Sequence, residues 1–175
     1  LGFAAVGIAP AAAMADQSAR LAQWIAAGFH GGMAWMADTA DRRRSPQALW
    51  GEVRSVILLG FPYTPALDPL RHRGRGSVGV ISSYALGQDY HDLVKGRLRR
   101  LAHWMQTEAD APLKIFVDTA PVMEKPLAEA AGIGWQGKHS NLVSRRHGNW
   151  LFLAAIYSAE DWPPLADQGA TASCG

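Results

Sequence analysis

The chain has 175 residues, 49% hydrophobic and 18% charged, with 18 glycines and ten prolines in no repeating order. That composition supplies one globular core and excludes collagen-like, low-complexity and disordered chains. The formal net charge is only +2, no apolar run reaches the roughly 18 residues of a membrane span, and Leu-Gly-Phe at the start is no basic-then-apolar leader, so a soluble, cytoplasmic protein is expected.

Phe3 to Ala9 is a short apolar run that fits a buried strand, and Met14 to Ala27 carries Leu21, Trp24 and Ile25 on one helical face before Gly28 closes it. Gly28 to Met36 is too glycine-rich for a regular element. Ser45-Pro46 is an N-cap followed by proline at the first helical position, which predicts a short helix over Pro46 to Trp50. Val53 to Phe61 is the clearest strand, and its unbroken apolarity predicts a central position covered on both faces.

A basic loop follows from Tyr63 to Ser77, and the alternation over Val78 to Tyr84 predicts a strand. Asp89 caps a long helix in which Tyr90, Leu93, Val94, Leu98, Leu101 and Met105 form one stripe. Leu113 to Val117 is a strand, and Pro126 to Ala131 a helix ended by Gly132. Leu142 to Ser144 and Trp150 to Tyr157 flank Arg145-Arg-His-Gly-Asn149 as a hairpin. Strands alternate with helices, but the late hairpin and irregular connections favour α+β, with antiparallel members in the sheet.

Charge is unevenly spread. Residues 42 to 147 hold 16 of the 17 basic and nine of the 15 acidic residues, a balance of +7 against −5 elsewhere, so the middle of the chain can face a polyanion or form a solvated basic face. The single cysteine, Cys174, excludes a disulfide framework or an all-cysteine metal site within the chain. It stands in a loop-like Thr-Ala-Ser-Cys-Gly end, while Leu1 opens on what reads as the end of a helix, so both ends look cut.

Gly132-Ile-Gly-Trp-Gln-Gly-Lys138 matches two phosphate-binding patterns, but a helix precedes it and a strand follows, the inverse of what either needs. His72, His91 and His103 are spaced as exposed residues, and no histidine pair has metal-ligand spacing. Asp118 follows a strand at its end, where sites collect. The residue type alone leaves helix capping and acid catalysis both open.

Tyr84-Ala-Leu-Gly-Gln-Asp-Tyr-His91, Val117-Asp-Thr-Ala-Pro-Val-Met-Glu-Lys125, Ala131-Gly-Ile-Gly-Trp-Gln-Gly-Lys138 and Asn149-Trp-Leu-Phe-Leu153 stand in an order that resembles the epoxyqueuosine reductases. Arg43-Arg-Ser-Pro46 and Arg54-Ser-Val-Ile57 extend the resemblance upstream, and Ser83 and His139 depart from it. The resemblance implies a nitroreductase-like corrinoid-binding core with a mixed, partly antiparallel sheet. It further implies reduction of epoxyqueuosine to queuosine at the tRNA wobble position, using cobalamin and two 4Fe-4S clusters.

Matched residue by residue, Asp118 falls on the proton donor, and Arg43, Ser82, Asp118, Leu142 and Leu153 on cobalamin contacts. Burial against the apolar corrin would keep the Asp118 acid protonated. Residues 1–172 would form the catalytic domain, with 173–175 opening a ferredoxin-like domain in which Cys174 is the first cluster ligand. Arg42 to Arg44, Arg71 to Arg75 and Arg145 to Arg146 would meet tRNA phosphates. A monomer with no membrane association is expected. The rival readings are a non-catalytic corrinoid-binding or trafficking domain of the same fold, and an RNA-binding module without a cofactor.

Overall fold

In the computed structural model, which describes residues 1–165, β1 (Ala5–Pro10), β2 (Ser55–Pro62), β3 (Leu113–Phe116) and β6 (Leu151–Ser158) form one sheet in the order β1-β2-β6-β3. Every pairing in it is antiparallel. β2 lies inside the sheet, as its unbroken apolarity requires. Its residues alternate between two cores. Val56 and Leu58 pack on one face with Ala155, Tyr157, Trp50 and Val122, beneath Leu127 and Ala128 of α6 (Glu124–Ala130). Ile57 and Leu59 pack on the other with Ala154 and Ile156, beneath Val94, Leu98 and Ala102 of α5 (Tyr90–Ala109). Each large apolar side chain buried there contributes about 1.5–3 kcal/mol, so the two cores clamp the sheet from both sides.

Local signals place the helix starts. Ser45 Oγ accepts a hydrogen bond from the Ala48 amide at 3.1 Å, and Pro46 opens α4 (Pro46–Leu49). Asp89 Oδ1 accepts from the His91 amide at 2.9 Å and starts α5. Caps of this kind are worth about 1 kcal/mol each. Gly28, at φ +71°, follows the end of α1 (Ala15–Ala26), and Gly132, at φ +75°, follows that of α6.

Three expectations are corrected. The glycine-rich stretch does not stay irregular to Met36, because α2 (Ala34–Asp38) starts inside it and α3 (Ala40–Arg43) follows. Once past Gly32, Ala-Trp-Met-Ala has ordinary helix propensity. Val78 to Tyr84 is not a strand. It runs as irregular chain into a 3-10 turn over Ser83–Ala85, with Val80 and Ile81 more than half exposed, since no neighbouring strand offers backbone partners. The late hairpin does not form either. β5 (Leu142–Val143) pairs with β4 (Trp135–Gln136) in a separate two-stranded sheet, and β6 inserts between β2 and β3. Only an isolated Ser144–Gly148 bridge closes the intervening turn. An eight-residue apolar strand buries more surface at the sheet centre than against a two-residue partner.

β1 depends on a missing side chain. A Cβ on Gly7 would stand 2.1 Å from the Ala131 carbonyl oxygen just past α6, whereas one on Gly79 would meet nothing within 4 Å. Gly7→Ala is therefore expected to lower the unfolding free energy by about 2 kcal/mol, and Gly79→Ala by less than about 0.5 kcal/mol. Urea unfolding compares them, and equal midpoints would disprove the close approach.

Candidate active site

Three chain segments converge at one end of the sheet. The register pairs Pro62 with Leu151 and Phe116 with Ala155, so β2 ends opposite the first residue of β6 and β3 ends opposite its fifth, leaving the start of β6 open on that side. The chain leaving β3 reaches Asp118 there, beside Tyr63 and the first residues of β6. An open cleft of about 360 Å³ results. Leu142, Leu151, Phe152 and Leu153 form its apolar wall, and Asp118, Glu124, Lys125, Asn141 and Asn149 its polar side.

Aromatic rings build the far wall. Phe152 stacks against Tyr90 at 4.0 Å and 3° and against Tyr63 at 4.2 Å and 27°, contacts worth about 0.5–1.5 kcal/mol each beyond their buried area. Tyr63 donates its hydroxyl to the Asn149 carbonyl at 3.2 Å, which ties β2 to the turn before β6. The same rings border a neighbouring cavity of about 640 Å³ under the loop between Tyr63 and Asp89.

Asp118 occupies the centre of a γ-turn: the Thr119 amide donates to the Val117 carbonyl at 2.6 Å, and φ at Asp118 is +52°. That conformation is strained for a residue with a Cβ, at about 1–3 kcal/mol. It does not cap a helix, because α6 starts six residues later with Met123 at its N-cap. The side chain is held from α5. Tyr90 donates its hydroxyl to Asp118 Oδ2 at 2.5 Å, and His91 Nε2 lies 3.4 Å from the same oxygen. Burial first, and the Asp118 carboxylate second, raise the Tyr90 phenol above its ordinary value, so it stays a donor at neutral pH.

His91 in turn reaches Asp89 Oδ1 through Nδ1 at 2.8 Å, and hydrogen bonds from the His91 backbone and ring hold the Asp89 carboxyl below its usual range. His91 is therefore half-buried and engaged, which corrects its reading as an exposed residue. The Asp118 side chain remains 61% exposed, so the burial expected around this acid is not supplied by the chain's own atoms.

Leu142, buried on β5, and Leu153, on β6, line the Asp118 cleft as the sequence reading groups them. Arg43 lies in an adjoining groove of about 540 Å³ that shares Glu124 and Lys125 with the cleft. Its Nη1 donates to the Val122 carbonyl at 3.4 Å, and its guanidinium sits 5.4 Å from the centre of the Trp35 ring. Ser82 is exposed before the 3-10 turn and does not line the cleft, although the next residue, Ser83, lines the larger cavity. Cys174 lies outside the described residues.

Sequence reasoning missed Tyr90, His91 and Glu124 as site residues. All three stand inside the quoted motifs, but the spacing of 28 residues between Tyr90 and Asp118 matches no local period. Glu124 is the least solvated carboxyl at the site. Burial pushes it up to about 7 and the nearby Asp118 carboxylate adds to that, while the Arg43 guanidinium and the backbone amides of Glu124 and Asp118 pull the other way. It also helps to raise the Tyr157 phenol beneath it.

This is an α+β domain that presents a strained acid over an apolar and aromatic cleft, the arrangement of a small-molecule or cofactor site. The family model described as "Epoxyqueuosine reductase QueG, DUF1730" matches residues 43–119. The epoxyqueuosine reductase of Xanthomonas campestris pv. campestris is 42% identical over 168 residues, covering 93% of this chain and 46% of that protein. Two solved epoxyqueuosine reductases share the fold. One, with an epoxyqueuosine-modified tRNA-Tyr stem loop, matches at TM-score 0.80 and 22% identity, covering 95% of this chain and 44% of that one. The other, from Bacillus subtilis with its catalytic aspartate loop swung out of the active site, matches at TM-score 0.77 and 20% identity, covering 99% and 46%. In sequence the chain is similar to epoxyqueuosine reductases along nearly its whole length, and it spans about half the length of the curated relatives it matches.

The raised Glu124 carboxyl links stability to pH. A folded-state value above the unfolded one means that the folded chain holds the proton more tightly, so this contribution is complete below about 4.5 and is lost as pH rises through about 7. Its full size is at most about 3 kcal/mol. Urea unfolding between pH 5 and 8 is expected to show wild type losing stability relative to Glu124→Gln. Parallel pH profiles for the two would refute the buried acid.

Proposed function

We propose that the chain forms the cobalamin-binding catalytic part of an epoxyqueuosine reductase, an oxidoreductase that converts epoxyqueuosine to queuosine in tRNA, with Asp118 as proton donor. The carrying observation is the Asp118 turn, which offers a tethered carboxyl at the mouth of an apolar cleft. Residues 1–172 make up this domain, and Cys174 is the first ligand of a cluster domain opening at 173–175, whose two 4Fe-4S clusters deliver electrons. The printed names of the relatives, and the modified tRNA stem loop bound by one of them, support the substrate. Exposed Arg42, Arg44, Arg71, Arg73 and Arg75 suit a polyanionic partner. No helix among the described residues is long and apolar enough to cross a membrane.

The residues present fit a corrin. Leu142, Leu151 and Leu153 provide an apolar floor, while Lys125, Asn141 and Asn149 offer donors and acceptors to an amide-rimmed macrocycle. Asp118, Leu142 and Leu153 would hold it, with Arg43 in the adjoining groove, whereas Ser82 stands outside the cleft. When bound, cobalamin supplies the reducing cobalt centre for carbon–oxygen cleavage.

Conversion of the epoxide to the alkene takes two electrons and two protons and releases the oxygen as water. The second of the two protons comes from solvent, and the protein's share is the first. The Asp118 carboxyl delivers it to the epoxide oxygen as charge develops there, at an atom Tyr90 keeps in place by its hydrogen bond to Oδ2. With cobalamin and substrate bound, the Asp118 side chain, which the chain itself leaves open, would be shielded from water. Tyr63, Phe152 and Tyr90 keep the wall rigid while this happens.

In the full-length enzyme, Asp118→Asn is expected to reduce turnover by at least about 100-fold, the usual size of a general-acid effect, while cobalamin and tRNA affinities change less than about threefold. Turnover within about threefold of wild type would make Asp118 structural, and the mechanism would need another acid. Cobalamin binding by a wild-type enzyme without turnover would favour the non-catalytic corrinoid-binding domain. Absence of any change in the visible spectrum on mixing with cobalamin would remove both readings.

A further inference from the structure

The imidazole of His91 is fixed from three directions. Its Nδ1 lies 2.8 Å from Asp89 Oδ1, its Nε2 lies 3.4 Å from Asp118 Oδ2, and its face stacks on the Tyr90 ring at 4.0 Å and 28°. Asp89 is itself pinned, because the same Oδ1 accepts the His91 amide at 2.9 Å where it caps α5. A carboxylate only accepts, so the hydrogen on Nδ1 is committed to Asp89, and the protonation state of His91 is expressed at Nε2. A neutral ring turns a lone pair toward Asp118. A charged ring turns an N–H toward it, and contacts of that length often shorten as a catalytic site closes on its ligand.

Asp118 Oδ2 also accepts the Tyr90 hydroxyl at 2.5 Å, which leaves Oδ1 as the oxygen that α5 does not engage. With two donors on Oδ2, the proton of the neutral acid belongs on Oδ1. With a lone pair at Nε2, the same proton is drawn to Oδ2 to bridge the two side chains. Tyr84 of the 3-10 turn acts on Tyr90 and Glu124 of α6 acts on Asp118, while Asp92 and Lys95 are the next charged residues along α5.

We propose that Asp89 and His91 are a positioning pair for the acid: with Nδ1 anchored on Asp89, charged His91 presents Nε2–H to Asp118 Oδ2 and so keeps the transferable proton on Oδ1, whereas loss of the His91 proton draws it away. When Oδ1–H gives its proton to the epoxide oxygen, the carboxylate left behind keeps two donors on Oδ2, and a solvent proton restores Oδ1–H. The inference rests on Asp118 being the proton donor; the tautomer of His91 stands apart from that reading.

In the full-length enzyme, His91→Leu removes the ring, His91→Gln places a neutral amide N–H near the position of Nε2, and Asp89→Asn removes the anchoring charge while keeping an N-cap. kcat is expected to fall at least about tenfold in His91→Leu with KM within about threefold, and Gln should restore most of that loss. The alkaline limb of kcat is expected to follow the loss of two protons in wild type, from His91 and Asp118, and of one in His91→Gln. In Asp89→Asn that limb should begin at lower pH, because the anion that favours the charged ring is gone. Added to Asp118→Asn, His91→Leu should cost less than about twofold more, since it acts through a group already removed.

Nitrogen NMR of isotope-labelled histidine in the full-length protein, with the His91 signals identified by their loss in His91→Gln, is expected to show the neutral ring carrying its hydrogen on Nδ1. A neutral ring with hydrogen on Nε2, the same alkaline limb in wild type and His91→Gln, or losses that multiply in the double variant would each overturn the proposal. Should His91→Leu fail to fold, the Gln and Asn variants decide. A wild-type enzyme inactive on epoxyqueuosine would sink the functional reading, while the nitrogen spectra of wild type and Asp89→Asn would still decide the pair.

Discussion

The β2–β6 pair is the constraint on which the rest of the molecule hangs. Both strands are eight residues long, paired from Ser55–Ser158 to Pro62–Leu151, and covered on both faces. Side chains alternate along a strand, so a one-residue slip would send every residue of β6 to the opposite face. Tyr157 would leave the core beneath α6, and Phe152 would leave the α5 side where it stacks on Tyr63 and Tyr90. Apolar burial sets the register, and the register builds the aromatic wall of the cleft.

At the end of that pair the ladder gives out and the irregular chain gathers. β3 stops at Phe116, and two consecutive i→i+2 turns follow, Thr119 to Val117 and Val122 to Ala120. Such turns cost free energy that nothing local returns. An attachment from another element offsets it: the start of α5, through Tyr90 and His91. A rigid sheet with helices on both faces thus supports a strained acid on a loop, the usual division between scaffold and chemistry.

The two carboxyls of the site live in opposite surroundings. Asp118 is largely open to solvent, whereas Glu124 is desolvated enough to hold its proton up to about pH 7. Arg43 moderates the second without forming a close ion pair with it, its shortest polar contact being the Val122 carbonyl. The division leaves the exposed acid for whatever enters the cleft and gives the buried one to the architecture beneath it.

What the sequence by itself determined is local and periodic: the apolar run of β2, the stripe of α5, the Ser45-Pro46 and Asp89 caps, and the glycine after α6. These follow from propensity and spacing that act within a few residues. The ordered motifs likewise pointed to Asp118, Leu142 and Leu153, which share one cleft. Only the tertiary structure decided what depends on distant partners. Val78 to Tyr84 alternates like a strand but has no strand beside it, and β6 leaves its sequence neighbour β5 for β2 and β3, because strand pairing is settled by total burial and not by adjacency. Tyr90 and His91 reach Asp118 from α5 while Glu124 of α6 lines the same cleft, and no spacing along the chain encodes an arrangement that exists only once the sheet has closed beneath it.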